Sequence, residues 1–385
     1  MPARFQIGGR RRAPSLPVAW VTSDGQAPDV ARRREIADGI QTWSDRIRGM
    51  LGPIDIGGVI IATAPLKAAV ALRTPDGLGR ELRQQSSFPS DPPVWTAPMD
   101  NGHCRGELDD TVGDGAAACY FTPPGSTTPG SGLVVLQTRI ARALIDPDHV
   151  SHVSAVGTLT HEMGHAWAEA RDLDDIAPPP GRGGRARLTR AGWQPGRRAA
   201  HEYMAVRAEC AVQRQIFGQA PAEPRIADLA ADTGQAMVIL AHGPDTPDAR
   251  EADIARRASA HLGYTLGTLN ALTDADLPVH EPGDFPRLRS SGEAVRSALP
   301  AGTAARRVLD RSGGSLRDLY RTLSTGRHPD ADFHRVARDQ AEAVAFAMAR
   351  DPGADPRTVS TRRFPGLRRK QQPVRDSCPE PDGRG

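Results

Sequence analysis

A chain of 385 residues can bury a sizeable core and hold more than one domain, and its net charge of +3 is too mild to imply general attraction to nucleic acid. Hydrophobic residues make up 38% and aromatic residues 4%, so the core must be rich in Ala, Val and Leu. No apolar run reaches the length of about eighteen residues that a membrane-spanning helix needs, and Lys67 and Lys370 are the only lysines, an arginine skew we read as genomic base composition, since so many arginines cannot all contact phosphate.

Met1–Pro17 contains Arg10, Arg11 and Arg12 but no apolar segment of the kind a secretory signal requires. The expected location is therefore the cytoplasm, or outside it by a non-standard export route. Val18–Thr22 reads as a strand, Val30–Leu51 as a helix and Ile56–Thr63 as a second strand. Gln84–Ser131 reads mostly as loop. It holds Cys104 and Cys119, close enough in sequence to be bridged in an oxidising compartment or to remain thiols inside a cell. Leu133–Gln137, after the Pro- and Gly-rich stretch Thr122–Gly132, reads as a short strand.

The most informative run follows. His161-Glu162-Met163-Gly164-His165 places two imidazoles four residues apart, on one face of a helix, where they can share one zinc ion with Glu162 set to act on a metal-activated water. Val153, Val156, Leu159, Met163, Ala166, Trp167 and Ala170 recur around it at helical spacing. Gly164 costs about 1 kcal/mol of helix propensity, a penalty that makes sense if another backbone comes close there. The competing reading is a helix that carries two histidines and a glutamate for no metal at all.

Gly157-Thr158-Leu159-Thr160-His161-Glu162-Met163-Gly164-His165-Ala166-Trp167 resembles the active-site helix of the zincin superfamily of zinc metallopeptidases. That resemblance covers about twenty residues and implies a zincin-like peptidase fold of the α+β class, with a small amino-terminal sheet opening strand, helix, strand and a mainly helical carboxy-terminal part. It also implies that an edge strand before the motif holds an extended substrate, a role open to Leu133–Gln137, whose other reading is a plain core strand.

A catalytic zinc keeps one position for water and takes three protein ligands, so a third is needed beyond His161 and His165. Ala168 and Arg171 stand where the longer H-E-x-x-H-x-x-G-x-x-H pattern needs Gly and His, which excludes that branch. The gluzincin branch takes a glutamate from a later helix, and His201–Cys210 offers Glu202 and Glu209, seven apart on nearly one face of what reads as an amphipathic helix with Tyr203, Val206, Cys210 and Ile216 apolar. Glu202 is the expected ligand, since Glu202–Val206 resembles the corresponding segment of bacterial toxin and effector metallopeptidases. His201, Glu209 and Glu342 remain rivals, Glu209 equally as a carboxylate that supports a ligand or pairs with Arg207 or Arg214. Tyr203, Tyr264, His242 and Arg207 are candidate oxyanion donors.

Asp172, Asp174 and Asp175 lead into Pro178–Gly184, a connecting loop or a flap near the metal. Ile226–Ala241, Arg250–Leu272 and Ala331–Arg350 read as helices, the last with Phe333, Val336, Val344, Ala347 and Met348 on its core side. Cys210 is expected to be buried, and Cys378 sits in an Arg-rich tail. The expected organisation is an arm without fixed structure over 1–16, a zincin-like catalytic domain over 17–285, a helical extension over 286–350 and a basic tail over 351–385. The implied function is zinc-dependent hydrolysis of a protein or peptide substrate with Glu162 as general base. Its alternative is a zincin-like domain kept for binding or regulation.

Overall fold

The computed structural model describes residues 16–22, 27–73, 91–96, 117–122, 132–218, 226–241, 249–280 and 288–350. Residues 1–15 of the arm, Cys104, His242, Cys378 and the basic tail lie outside them, and with Cys104 so does its pairing with Cys119; Leu16, the last residue of the expected arm, is buried in the core. The chain opens β1 (Val18–Thr22), α1 (Val30–Leu51), β2 (Gly58–Ala62), α2 (Pro65–Arg73), β3 (Val94–Thr96), β4 (Ala118–Phe121) and β5 (Leu133–Gln137). It continues α3 (Thr138–Leu144), α4 (His152–Glu169), α5 (Gly184–Ala191), α6 (Trp193–Phe217), α7 (Ile226–Ala241), α8 (Ala249–Ala275), β6 (Pro278–His280), β7 (Leu288–Ser290), α9 (Ser291–Ala298), α10 (Ala304–Ser324) and α11 (Asp330–Arg350). The described part is thus α+β, mainly helical, with one small mixed sheet near the amino terminus. Among the described residues no helix is long and apolar enough to cross a membrane.

The sheet runs β3-β1-β2-β5-β4, parallel except for β4, which pairs antiparallel with β5 at Cys119 and Val135. Val18, Trp20, Val59, Ile61, Val134 and Leu136 pack on one face with Ile36, Ile40 and Ile47 of α1 and Ile140 of α3. Ala19, Val21, Ile60, Leu133 and Val135 meet Ala68, Ala69 and Leu72 of α2 on the other. Covering both faces explains why β1, β2 and β5 read as continuous apolar runs without polar alternation. It also settles the place of β5. Leu133–Gln137 is an inner strand, paired with β2 on one side and β4 on the other, so the reading of it as a substrate-binding edge is corrected. β4 holds the edge position, and both β3 and β4 arise within the stretch expected to be mostly loop.

The helical part is organised around α6, whose Glu202, Tyr203, Met204, Ala205 and Val206 are buried in succession. Five consecutive buried residues cannot lie on one face, so α6 is a central helix enclosed on several sides and not the amphipathic one its pattern predicted. α4, α8 and α11 pack against it. The α8 contact depends on a missing side chain, for a Cβ on Gly267 would stand 2.3 Å from the Ala199 carbonyl oxygen. On α11, Phe333, Val336 and Ala347 are buried as expected, whereas Val344 is half-buried and Met348 is 44% exposed. On α4, Ala170 closes the helix as its carboxy-terminal cap and is exposed, so the buried stripe ends at Ala168.

Candidate metal centre

α4 brings His161 and His165 together as their spacing requires, with ring centroids 4.9 Å apart and planes at 84°. α6 crosses α4 closely enough for a carboxylate to reach both rings. A Cβ on Gly164 would lie 2.7 Å from Cα of Ala205, and one on Gly157 2.0 Å from Nε2 of Gln213, so the two helices run antiparallel and nearly in backbone contact. The close approach inferred from Gly164 in the sequence is therefore present.

Glu202, 1% exposed, projects from α6 into this gap. Its Oε2 lies 3.4 Å from Nε2 of His161 and its Oε1 3.9 Å from Nε2 of His165. Ligand atoms of His161, His165 and Glu202 all fall within 4.8 Å of one another, a group that could hold a metal ion. Oε2 of Glu202 is buried without a hydrogen-bond partner. A buried carboxylate that turns Oε2, without a hydrogen-bond partner, toward His161 and Oε1 toward His165 fits a cation far better than an apolar void.

The rivals for the third position are engaged elsewhere. Glu209 approaches only the far nitrogen, its Oε2 3.3 Å from Nδ1 of His161. A carboxylate at Nδ1 can orient the ring and leaves Nε2 directed at Glu202. Nε2 of His201 meets Oδ1 of Asp174 at 2.7 Å, although its ring centroid is 5.8 Å from that of His165. Glu342 pairs with Arg311 at 3.0 Å.

Charge inside the cluster is uneven. Burial works against a charged His161, but the Glu202 and Glu209 carboxylates outweigh it and hold its pKa well above the ordinary value. Burial dominates at His165 and drives its pKa well below. The Glu162 carboxyl is pushed up to about 7, chiefly by burial, against the pull of His161. Glu202 stays well below the usual carboxylate range in spite of its burial, because the Arg198 guanidinium and the two imidazoles favour its anion. Nη2 of Arg198 lies 3.2 Å from Oε1 of Glu202, one turn away on α6. The i, i+4 spacing of Arg198 and Glu202 in the sequence would have revealed this pair.

Other neighbours were not foreseen. Tyr120 of β4 stacks on His165 with centroids 6.5 Å apart, and its hydroxyl donates to Oε2 of Glu169, while Thr122 donates to Oε1 at 2.7 Å. These bonds tie the edge strand to the end of α4. No short-range signal links Tyr120 to the motif, since the pairing arises only when β4 joins β5.

The oxyanion candidates separate. The Tyr203 hydroxyl donates to Asp274 at 2.5 Å and Arg207 lies over the Tyr320 ring at 5.2 Å, both committed to packing among α6, α8 and α10. Tyr264 carries Arg198 over its ring at 5.4 Å and feels the charges of Glu202, Glu209 and Glu162. The loop Pro178–Gly184 is held by Arg190, which donates to the carbonyls of Pro179 at 2.9 Å and Gly181 at 2.7 Å. No protein family, curated protein or solved structure matches the chain.

Proposed function

We propose that the protein is a zincin-like zinc peptidase that hydrolyses peptide bonds of a protein substrate. The observation that carries this reading is the convergence of His161, His165 and the orphaned Oε2 of Glu202, with Glu162 beside them on the same helix. Two imidazoles and a carboxylate are a donor set suited to zinc that leaves one tetrahedral position open. When bound there, zinc would supply Lewis acidity toward a carbonyl and a lowered pKa for water. Glu162, with its carboxyl near neutrality, takes a proton from the attacking water and returns it to the leaving amine. Glu209 keeps His161 oriented. Tyr264 is the candidate donor to the developing oxyanion.

The free side of β4 supports a peptide substrate. No described strand pairs with it there, and Tyr120 on β4 stacks against His165, so an extended chain added to this edge would pass the metal ligands.

Zinc content and cleavage of a broad peptide library, measured together on the wild type and Glu162→Gln, test the reading. One zinc per chain in both proteins, with chelator-sensitive cleavage in the wild type alone, is expected. A folded, zinc-loaded wild type that cleaves nothing would refute it in favour of a binding or regulatory domain.

A further inference from the structure

Between β2 and β5 the sheet changes the side on which its helices leave. β2 leads into α2, whose Ala68, Ala69 and Leu72 pack with Ile60 and Val135. β5 leads into α3, whose Ile140 and Ala141 pack with Ile61 and Val134 on the opposite face. Adjacent parallel strands whose onward connections part in this way leave a crevice at their carboxyl ends, the general location of ligands in open parallel sheets. In this protein the crevice has a volume of about 520 Å³ and is lined by Thr63, Gln137, Thr138, Arg139, Arg142 and His149.

The lining holds two guanidinium groups and no carboxylate. Thr63, Arg139, Arg142 and His149 are exposed, so the crevice opens to solvent, and it is Arg139 that is held in place. Nε2 of Gln137 donates to the Thr63 carbonyl at 3.5 Å, and its Oε1 accepts from Nε of Arg139. The Arg139 guanidinium is thus anchored through Nε, with its two terminal amino groups left as a fork. Nδ1 of His149 accepts from the Ser151 amide at 3.0 Å, so the neutral ring carries its proton on Nε2. Neither Arg139 nor Arg142 is in an ion pair with any described carboxylate. Asp146 and Asp148 are close in sequence but do not line the crevice.

We propose that this crevice binds a small molecule through a phosphate group. Forked guanidinium donors match the tetrahedral oxyanion, the Gln137 bridge reduces the ordering cost of Arg139, and the volume is that of a small-ligand site. The crevice shares no residue with the metal centre. It stands whether or not the protein is a peptidase.

Calorimetric titration of the full chain with phenyl phosphate and with inorganic phosphate, in chelator, tests the proposal. Saturable binding of phenyl phosphate, tighter than that of inorganic phosphate, is expected. Replacing both guanidiniums, Arg139→Gln with Arg142→Gln, weakens it by about 10-fold or more, and Gln137→Ala by a smaller factor. The pair Arg185→Gln with Arg187→Gln, on exposed side chains of α5, removes equal charge and leaves affinity unchanged. Equal weakening by both pairs would reduce the effect to diffuse attraction, and no saturable binding by the wild type would remove the site. Inorganic phosphate binding as tightly as the ester would overturn the small-molecule part. Thermal melting without ligand checks each variant's fold, and Arg142→Gln, a single change at an exposed side chain, replaces the double variant if that one melts early.

Discussion

Cα of Ala205 occupies the space that a side chain at Gly164 would need, 2.7 Å from the position of its Cβ. The obstruction is backbone and cannot rotate away, so Gly164→Ala must push α4 and α6 apart. The helix-propensity gain of about 1 kcal/mol is smaller than the overpacking cost of about 1–3 kcal/mol. The variant is expected to melt several degrees lower and, on the zinc-peptidase reading, to bind zinc about 10-fold more weakly, because Glu202 withdraws from the two imidazoles. Thermal melting in chelator and a zinc titration check the two effects. Unchanged zinc affinity would mean that the spacing of the helices does not set the metal centre.

Glu202 and Glu209 sit two turns apart on α6, yet they meet different nitrogens of His161. Glu202→Gln removes an atom of the proposed donor set, whereas Glu209→Gln only loosens the orientation of one ring. The expected loss of zinc affinity is about 10-fold to 100-fold for Glu209→Gln and greater still for Glu202→Gln. Competition with a chromophoric chelator at neutral pH measures both. The opposite order would exchange their roles.

How far these roles were legible follows from the range of the interactions behind them. β1, α1, β5 and α7 lie where the sequence places them, since continuous apolar runs and helical periodicity are local signals. The pairing of His161 with His165 is equally local, being one helical turn. Glu202 and Glu209 share a face of α6, and only the crossing of α4, fixed by Gly164 and Gly157, decides which carboxylate reaches both rings. β3 and β4 are too short to carry a periodic signal, which hid Tyr120 and left Leu133–Gln137 as the strand on which the edge role implied by the zincin resemblance fell. α6 looked amphipathic because Glu202, buried in its interior, counts as polar in any pattern.

Tyr264 is the remaining described candidate beside the cluster for an oxyanion donor, which separates catalysis from metal binding in a way that can be measured. Tyr264→Phe keeps the ring beneath Arg198 and removes only the hydroxyl. On the peptidase reading, kcat is expected to fall by about 100-fold with zinc stoichiometry unchanged. Tyr203→Phe, which loses a hydrogen bond to Asp274, is expected to cost about 1–2 kcal/mol of stability with little change in kcat. If Tyr203→Phe lowered kcat more than Tyr264→Phe, the assignment of the donor would fail.

Asp174 gives the clearest dependence on pH. Burial alone would raise its pKa, but the hydrogen bond from His201 and the Arg197 guanidinium, whose Nη2 lies at 2.7 Å, hold it well below the ordinary carboxylate range. A depressed folded-state pKa contributes stability that is fully present above the unfolded value of about 3.9 and is lost as pH falls toward the folded value. Asp174→Asn is therefore expected to be less stable than the wild type at pH 7, with the gap narrowing below about pH 4. Urea denaturation of both proteins in chelator, so that acid release of metal does not contribute, measures the gap at pH 7 and pH 3. A gap as wide at pH 3 as at pH 7 would show that the variant acts through packing and not through the Asp174 charge, and the His201 contact would then lose its electrostatic explanation.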